Sequence, residues 1–169
     1  MTDGEAGTGA VGKAALALGF AGLLPQIAAV GMIALTVLTP PVWGTGIARA
    51  AATIVAILYP LFILSFLGGI WWGLAMRRGA RQARLATIAV LPSLAAMALL
   101  GMTVASGRPG WSLVAIGSVI ALTLIVDRSI VADGDAPAGW IRLRVPLSIG
   151  LGGLTIVAGA LVGKGGFPA

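Results

Sequence analysis

Residues 50–84 read AAATIVAILYPLFILSFLGGIWWGLAMRRGARQAR. The first 27 of these carry no charge, and then Arg77, Arg78, Arg81 and Arg84 arrive within eight positions. A helix crosses the hydrocarbon of a bilayer with ~20 apolar residues. The run is continuous and lacks the two-residue alternation of a membrane barrel strand, so it predicts a helix long enough to span and to tilt. On either side, further apolar runs near 14–38, 85–105, 111–127 and 144–163 are separated by charged or turn-rich connections. The expected fold is all-α, a polytopic bundle of five transmembrane helices. A flexible tail over 1–13 precedes a single membrane domain over 14–163, and a short C-terminal tail covers 164–169.

Composition supports this. Of 169 residues, 59% are hydrophobic and only 9% charged, whereas a soluble domain needs about 25% charged residues to cover its surface. The chain has no cysteine and no histidine, which removes disulfides, thiolate nucleophiles and the commonest metal, haem and general-base ligand. Its acids are Asp3, Glu5, Asp127, Asp133 and Asp135. None falls in the middle of an apolar run, where pumps and proton-coupled carriers place a carboxylate. The expectation is therefore a protein that is not an enzyme, with no catalytic residue, no metal site and no cofactor.

The basic residues set an orientation. With the N-terminus in the cytoplasm, five crossings leave Lys13, Arg77, Arg78, Arg81, Arg84, Arg128, Arg142 and Arg144 inside and Arg49, Arg108 and Lys164 outside. Eight against three follows the positive-inside rule and puts the C-terminus on the opposite side. The tryptophans fit headgroup levels in the same frame, Trp43 and Trp111 at the outer boundary and Trp71, Trp72 and Trp140 towards the inner one. The run Arg77, Arg78, Arg81 and Arg84 reads first as a topology anchor, and second as a patch for anionic lipid headgroups or for docking a partner. Although the charge is +6, it sits in short interfacial connections, so nucleic-acid binding is not expected.

Pro25, Pro60 and Pro92 fall inside the first three runs and each removes a backbone hydrogen bond, so kinks are expected. Only Gln26 hints that a freed carbonyl has a polar neighbour. Gly69 and Gly73 form a G-x-x-x-G pattern beside Gly68. Gly159 and Gly163 repeat the spacing, and Gly117 with Ala121 gives a small-residue version. Such residues let helix backbones approach closely where lipid competes for apolar contact. Asp127 and Arg128 end the fourth run while Arg142 and Arg144 open the fifth. This predicts an interfacial charge cluster in which Asp127 pairs with Arg142 or Arg144, contributing about 0–1 kcal/mol if exposed and more if shielded. The stretch Gly7-Thr8-Gly9-Ala10-Val11-Gly12-Lys13-Ala14 mimics a phosphate-binding loop, but no strand precedes it and Ala14 replaces the magnesium-binding hydroxyl.

Several segments resemble a known family: Ile63 to Gly73 with its Leu-Ser-Phe-Leu-Gly-Gly and Trp-Gly elements, Leu91-Pro92-Ser93, Val126-Asp127-Arg128 and Trp140 to Leu147. Together with the five-run layout they are similar to a domain-of-unknown-function family of small bacterial membrane proteins that also includes mitochondrial transmembrane protein 69. The likeness covers about Leu18 to Leu161. Pro60, Phe62 and Gln26 depart from the family pattern, and the third run lacks a tryptophan. The resemblance implies an energy-transducing membrane such as the bacterial inner membrane, and nine arginines against two lysines suit a GC-rich bacterial genome. The expected role is a non-catalytic accessory, assembly or scaffold subunit of a larger respiratory or photosynthetic complex, in contact with membrane lipids. The alternative is a small transporter of an uncharged solute or lipid lined by Gln26, Tyr59 and Ser65.

Overall fold

A computed structural model describes residues 11–40 and 44–164. The expectations for Trp43, for the tail before Val11 and for residues 165–169 lie outside them. Among the described residues six α-helices form: α1 (Lys13–Ala21), α2 (Leu24–Leu38), α3 (Thr45–Met76), α4 (Ala83–Ser106), α5 (Pro109–Ala132) and α6 (Trp140–Lys164), with a 3-10 turn at Gly79–Arg81 before α4. Helices α1 and α2 together make one crossing. Five segments are thus long and apolar enough to cross a membrane, as in a multi-pass membrane protein.

Proline explains where the first crossing breaks. Pro25 lies in the first turn of α2, where a missing N–H costs nothing because helix-initial amides have no internal partner. The chain bends just before it, at Gly22 and Leu23, and the Tyr59 hydroxyl donates to the Gly22 carbonyl. By contrast α3 and α4 run on through Pro60 and Pro92. Between α4 and α5, Gly107 adopts φ +60°, a left-handed cap that glycine takes without a Cβ penalty, so these two helices are joined by only two residues.

Helix α3 occupies the centre, touching α2, α4, α5 and α6, while α5 and α6 form the most extensive pair. Leu64, Leu113, Ile116 and Ile120 fill the main core between them, and a smaller cluster around Trp71, Ala75, Leu85 and Ile130 packs the other end. The outer faces of α1, α2 and α4 stay apolar and uncovered, as Leu18, Leu38, Met97 and Val104 illustrate.

In the fourth crossing, formed by α5, the burial of Asp127 corrects the expectation of a partly wet interfacial cluster. The helix continues past Asp127 to Ala132, and Asp127 is completely buried rather than marking a wet boundary. A buried carboxylate is tolerable only if its charge and lone pairs are met within the protein.

Candidate functional site

That requirement is satisfied by a polar layer joining three helices. Arg144 Nε donates to Asp127 Oδ2 at 2.8 Å. The other oxygen, Oδ1, accepts from Trp71 Nε1 at 3.0 Å and from Trp140 Nε1 at 3.3 Å. Trp140 opens α6 and Arg144 follows four positions later, so the two share one helix face, with the guanidinium 6.0 Å from the indole centroid. The Arg144 side chain is only 8% exposed. Of the predicted cluster, Asp127 and Arg144 come together inside the bundle, whereas Arg128 and Arg142 are exposed. Trp71 likewise turns inward instead of resting at a headgroup level, drawn by the carboxylate acceptor.

A second buried link ties α2 to α3 and α6. Pro60 has no N–H, so the carbonyl four residues earlier, that of Ala56, loses its helical partner. Gln26 Nε2 donates to this oxygen at 3.3 Å and to Thr155 Oγ1 at 3.1 Å. Gln26 is wholly buried, and its own Oε1 has no partner among the described residues. On the far side of α3, Ser65 and Ser93 bridge to α4 at 2.9 Å.

Close helix approach occurs at three of the predicted packing positions, Gly68, Gly117 and Gly159, but not at Gly69, Gly73 or Gly163. A methyl group on Gly69 or Gly73 would meet nothing within 4 Å. The contact residue is Gly68, where a methyl would lie 2.5 Å from the Ala89 carbonyl. Between α5 and α6 a methyl on Gly117 would come within 2.5 Å of the Gly152 carbonyl, and one on Gly159 within 2.6 Å of the Gly110 carbonyl. Gly163 would accept a methyl freely and Ala121 is exposed. The four glycines lie seven residues apart on each helix, 110 and 117 against 152 and 159, which is the spacing that keeps one seam of a helix pair in register.

The arginine run divides. Arg78 bridges Asp133, at 3.0 Å, and Asp135, fastening the end of α3 to the connection between α5 and α6. Arg77, Arg81 and Arg84 remain exposed. The amide of Val11 also reaches this connection, donating to the Ala138 carbonyl at 3.2 Å.

Beside the polar layer a cavity of about 290 Å³ lies between α1, α3 and α6. Its walls are mostly aliphatic and aromatic, and its polar lining includes Tyr59, Arg144 and Ser148. Ser148 is 2% exposed. Both Ser148 Oγ and Arg144 Nη2 are buried without a partner among the described residues. Of the three residues expected to line a transport path, Tyr59 borders this cavity, whereas Gln26 and Ser65 do not. Sequence reasoning overlooked Ser148, although its position four residues after Arg144 was a usable signal. No group of three or more metal-ligating side chains occurs among the described residues.

No curated protein and no solved structure matches this chain. A family described as "Protein of unknown function (DUF3429)" matches residues 11–161, a range that takes in every helix of the bundle up to the last turn of α6, and the chain therefore belongs to the DUF3429 family.

Proposed function

We propose that this protein is a non-catalytic accessory, assembly or scaffold subunit beside a larger respiratory or photosynthetic complex of the bacterial inner membrane, with its N-terminus in the cytoplasm and its C-terminus opposite. The observation that carries the reading is how the buried polar groups are used. Asp127 with Arg144 and Trp71, Gln26 with Thr155, and Ser65 with Ser93 form three links across helix boundaries, which tie the helices of the bundle together. Around it, the first and third crossings keep apolar faces of large side chains turned outward. Those faces suit lipid and the helices of a neighbouring membrane protein alike, and exposed Arg77, Arg81 and Arg84 supply a cationic rim for anionic headgroups or an acidic partner surface.

The test is isolation of the tagged chain, expressed from its own promoter, in native lipid discs followed by mass spectrometry. Co-migration with a defined larger complex is the expected result. A lone monomer in discs as well as in mild detergent would overturn the proposal. The alternative, transport of an uncharged solute or lipid, is favoured by one observation, the cavity beside Tyr59, and uptake by reconstituted vesicles would establish it.

A further inference from the structure

Buried polar groups in folded proteins nearly always have hydrogen-bond partners, so two unpaired donors on residues that line one cavity call for an explanation. Arg144 Nη2 and Ser148 Oγ are such a pair, one helical turn apart on α6 and both lining the 290 Å³ cavity. Leu18 and Phe66 form part of its lining and are themselves exposed, so the cavity has an apolar mouth directed at the surroundings of the bundle. From this geometry we infer a binding site for a neutral amphiphile: an oxygen-acceptor head, such as a carbonyl, held by Arg144 Nη2 and Ser148 Oγ, with an apolar tail leaving between Leu18 and Phe66.

Charge decides against an anionic head. Arg144 is already neutralised by Asp127 at 2.8 Å, and no other charged side chain among the described residues lines the cavity. A bound carboxylate or phosphate would add an uncompensated negative charge among mostly apolar walls, which is heavily penalised. A carbonyl oxygen gains both donors without that cost, because it accepts through two lone pairs and carries no net charge. Size sets the rest. The volume is at the lower end of the ~300–1,000 Å³ found for ligand cavities, enough for a ring or ester head and the first part of a tail, with the remainder outside. A quinone ring and the ester carbonyl of a diacylglycerol both present this chemistry. The inference concerns the cavity itself and holds whether the protein acts alone or within a complex.

The full chain in nanodiscs of phosphatidylcholine is titrated with decylubiquinone, with dioctanoylglycerol and with decanoate, and binding is read by equilibrium dialysis and thermal shift. Saturable binding of decylubiquinone or dioctanoylglycerol, but not of decanoate, is expected, and whichever binds identifies the source of the carbonyl. Ser148→Ala deletes one donor and weakens binding about 5- to 10-fold, the equivalent of one hydrogen bond. Its ligand-free melting temperature is not lowered, since an unpaired buried hydroxyl contributes nothing to the fold. Leu147→Trp fills the cavity and abolishes binding. The inference fails if neither neutral probe binds saturably, if decanoate binds best, or if Ser148→Ala binds as the unaltered protein does.

Discussion

Removing the charge of Asp127 while keeping its shape isolates what the buried ion pair does. Asp127→Asn retains an oxygen for the Trp71 and Trp140 indoles but leaves Arg144, 8% exposed, with no counter-charge. Breaking a buried pair from one side costs about 3–5 kcal/mol, which at 1.4 kcal/mol per decade lowers the folding equilibrium constant by roughly 10²–10³·⁵. Arg144→Met strands the Asp127 carboxylate and costs about the same. The double variant strands no charge. It keeps both indole bonds and leaves one unmatched amide donor, for a loss of about 1–3 kcal/mol. Independent effects would add to about 6–10 kcal/mol, so the cycle predicts a coupling of at least about 3 kcal/mol. Unfolding in mixed micelles by increasing dodecyl sulfate reads all four proteins, followed by tryptophan fluorescence, to which Trp71 and Trp140 of the layer contribute two of five residues. Additivity within about 0.5 kcal/mol, the usual limit for independent sites, would refute the idea that Asp127 and Arg144 are held against each other away from water.

Three other outcomes follow from the same contacts. Gly117→Ala, placing a methyl 2.5 Å from the Gly152 carbonyl, costs about 1–3 kcal/mol by overpacking. Gly69→Ala and Gly73→Ala, in open space, gain about 0.5–1 kcal/mol from helix propensity. Melting in detergent separates the two classes, and a Gly73→Ala loss as large as that of Gly117→Ala would reinstate the G-x-x-x-G face. Gln26→Leu orphans the Ala56 carbonyl and costs about 1–3 kcal/mol; in a Pro60→Ala background the helix supplies that bond itself, and the penalty of Gln26→Leu shrinks. Finally, the positive-inside orientation predicts that a C-terminal alkaline phosphatase fusion is active and a C-terminal green fluorescent fusion dark, and the reverse pattern would invert the topology.

The five crossings could be read directly because lipid imposes a length and a hydrophobicity that few alternatives satisfy. Boundaries were harder, and Asp127 shows why. The pairing of Asp127 with Arg142 or Arg144 was legible, but an acid at the end of an apolar run reads as lying at an interface, and its burial depends on how α3, α5 and α6 meet, with Trp71 as a partner 56 positions away. The predicted packing glycines divide for a related reason, with Gly68, Gly117 and Gly159 in close contact and Gly69, Gly73 and Gly163 in open space. G-x-x-x-G identifies a small-residue face but not which face another helix covers, so it chose Gly69 and Gly73 while the adjacent Gly68 makes the contact. The spacing of seven shared by Gly110 with Gly117 and Gly152 with Gly159 was present in the sequence and becomes meaningful once α5 and α6 are known to pair. Gln26 was noticed next to Pro25, yet the proline that gives it a purpose is Pro60, on another helix. The cavity depends on how three helices meet, and no local pattern encodes that.

Gln26 also gives the fold a chronology. As the nascent chain leaves the ribosome, the first crossing enters the bilayer bearing a bare amide whose two acceptors are synthesised 30 and 129 residues later. Until α6 arrives, Gln26 lacks Thr155 and Asp127 lacks Arg144, so every translation intermediate displays polar groups that a protease or insertion chaperone could recognise. Completion of the last helix silences both signals together, and the finished protein is distinguished from its fragments by what it no longer shows to the lipid.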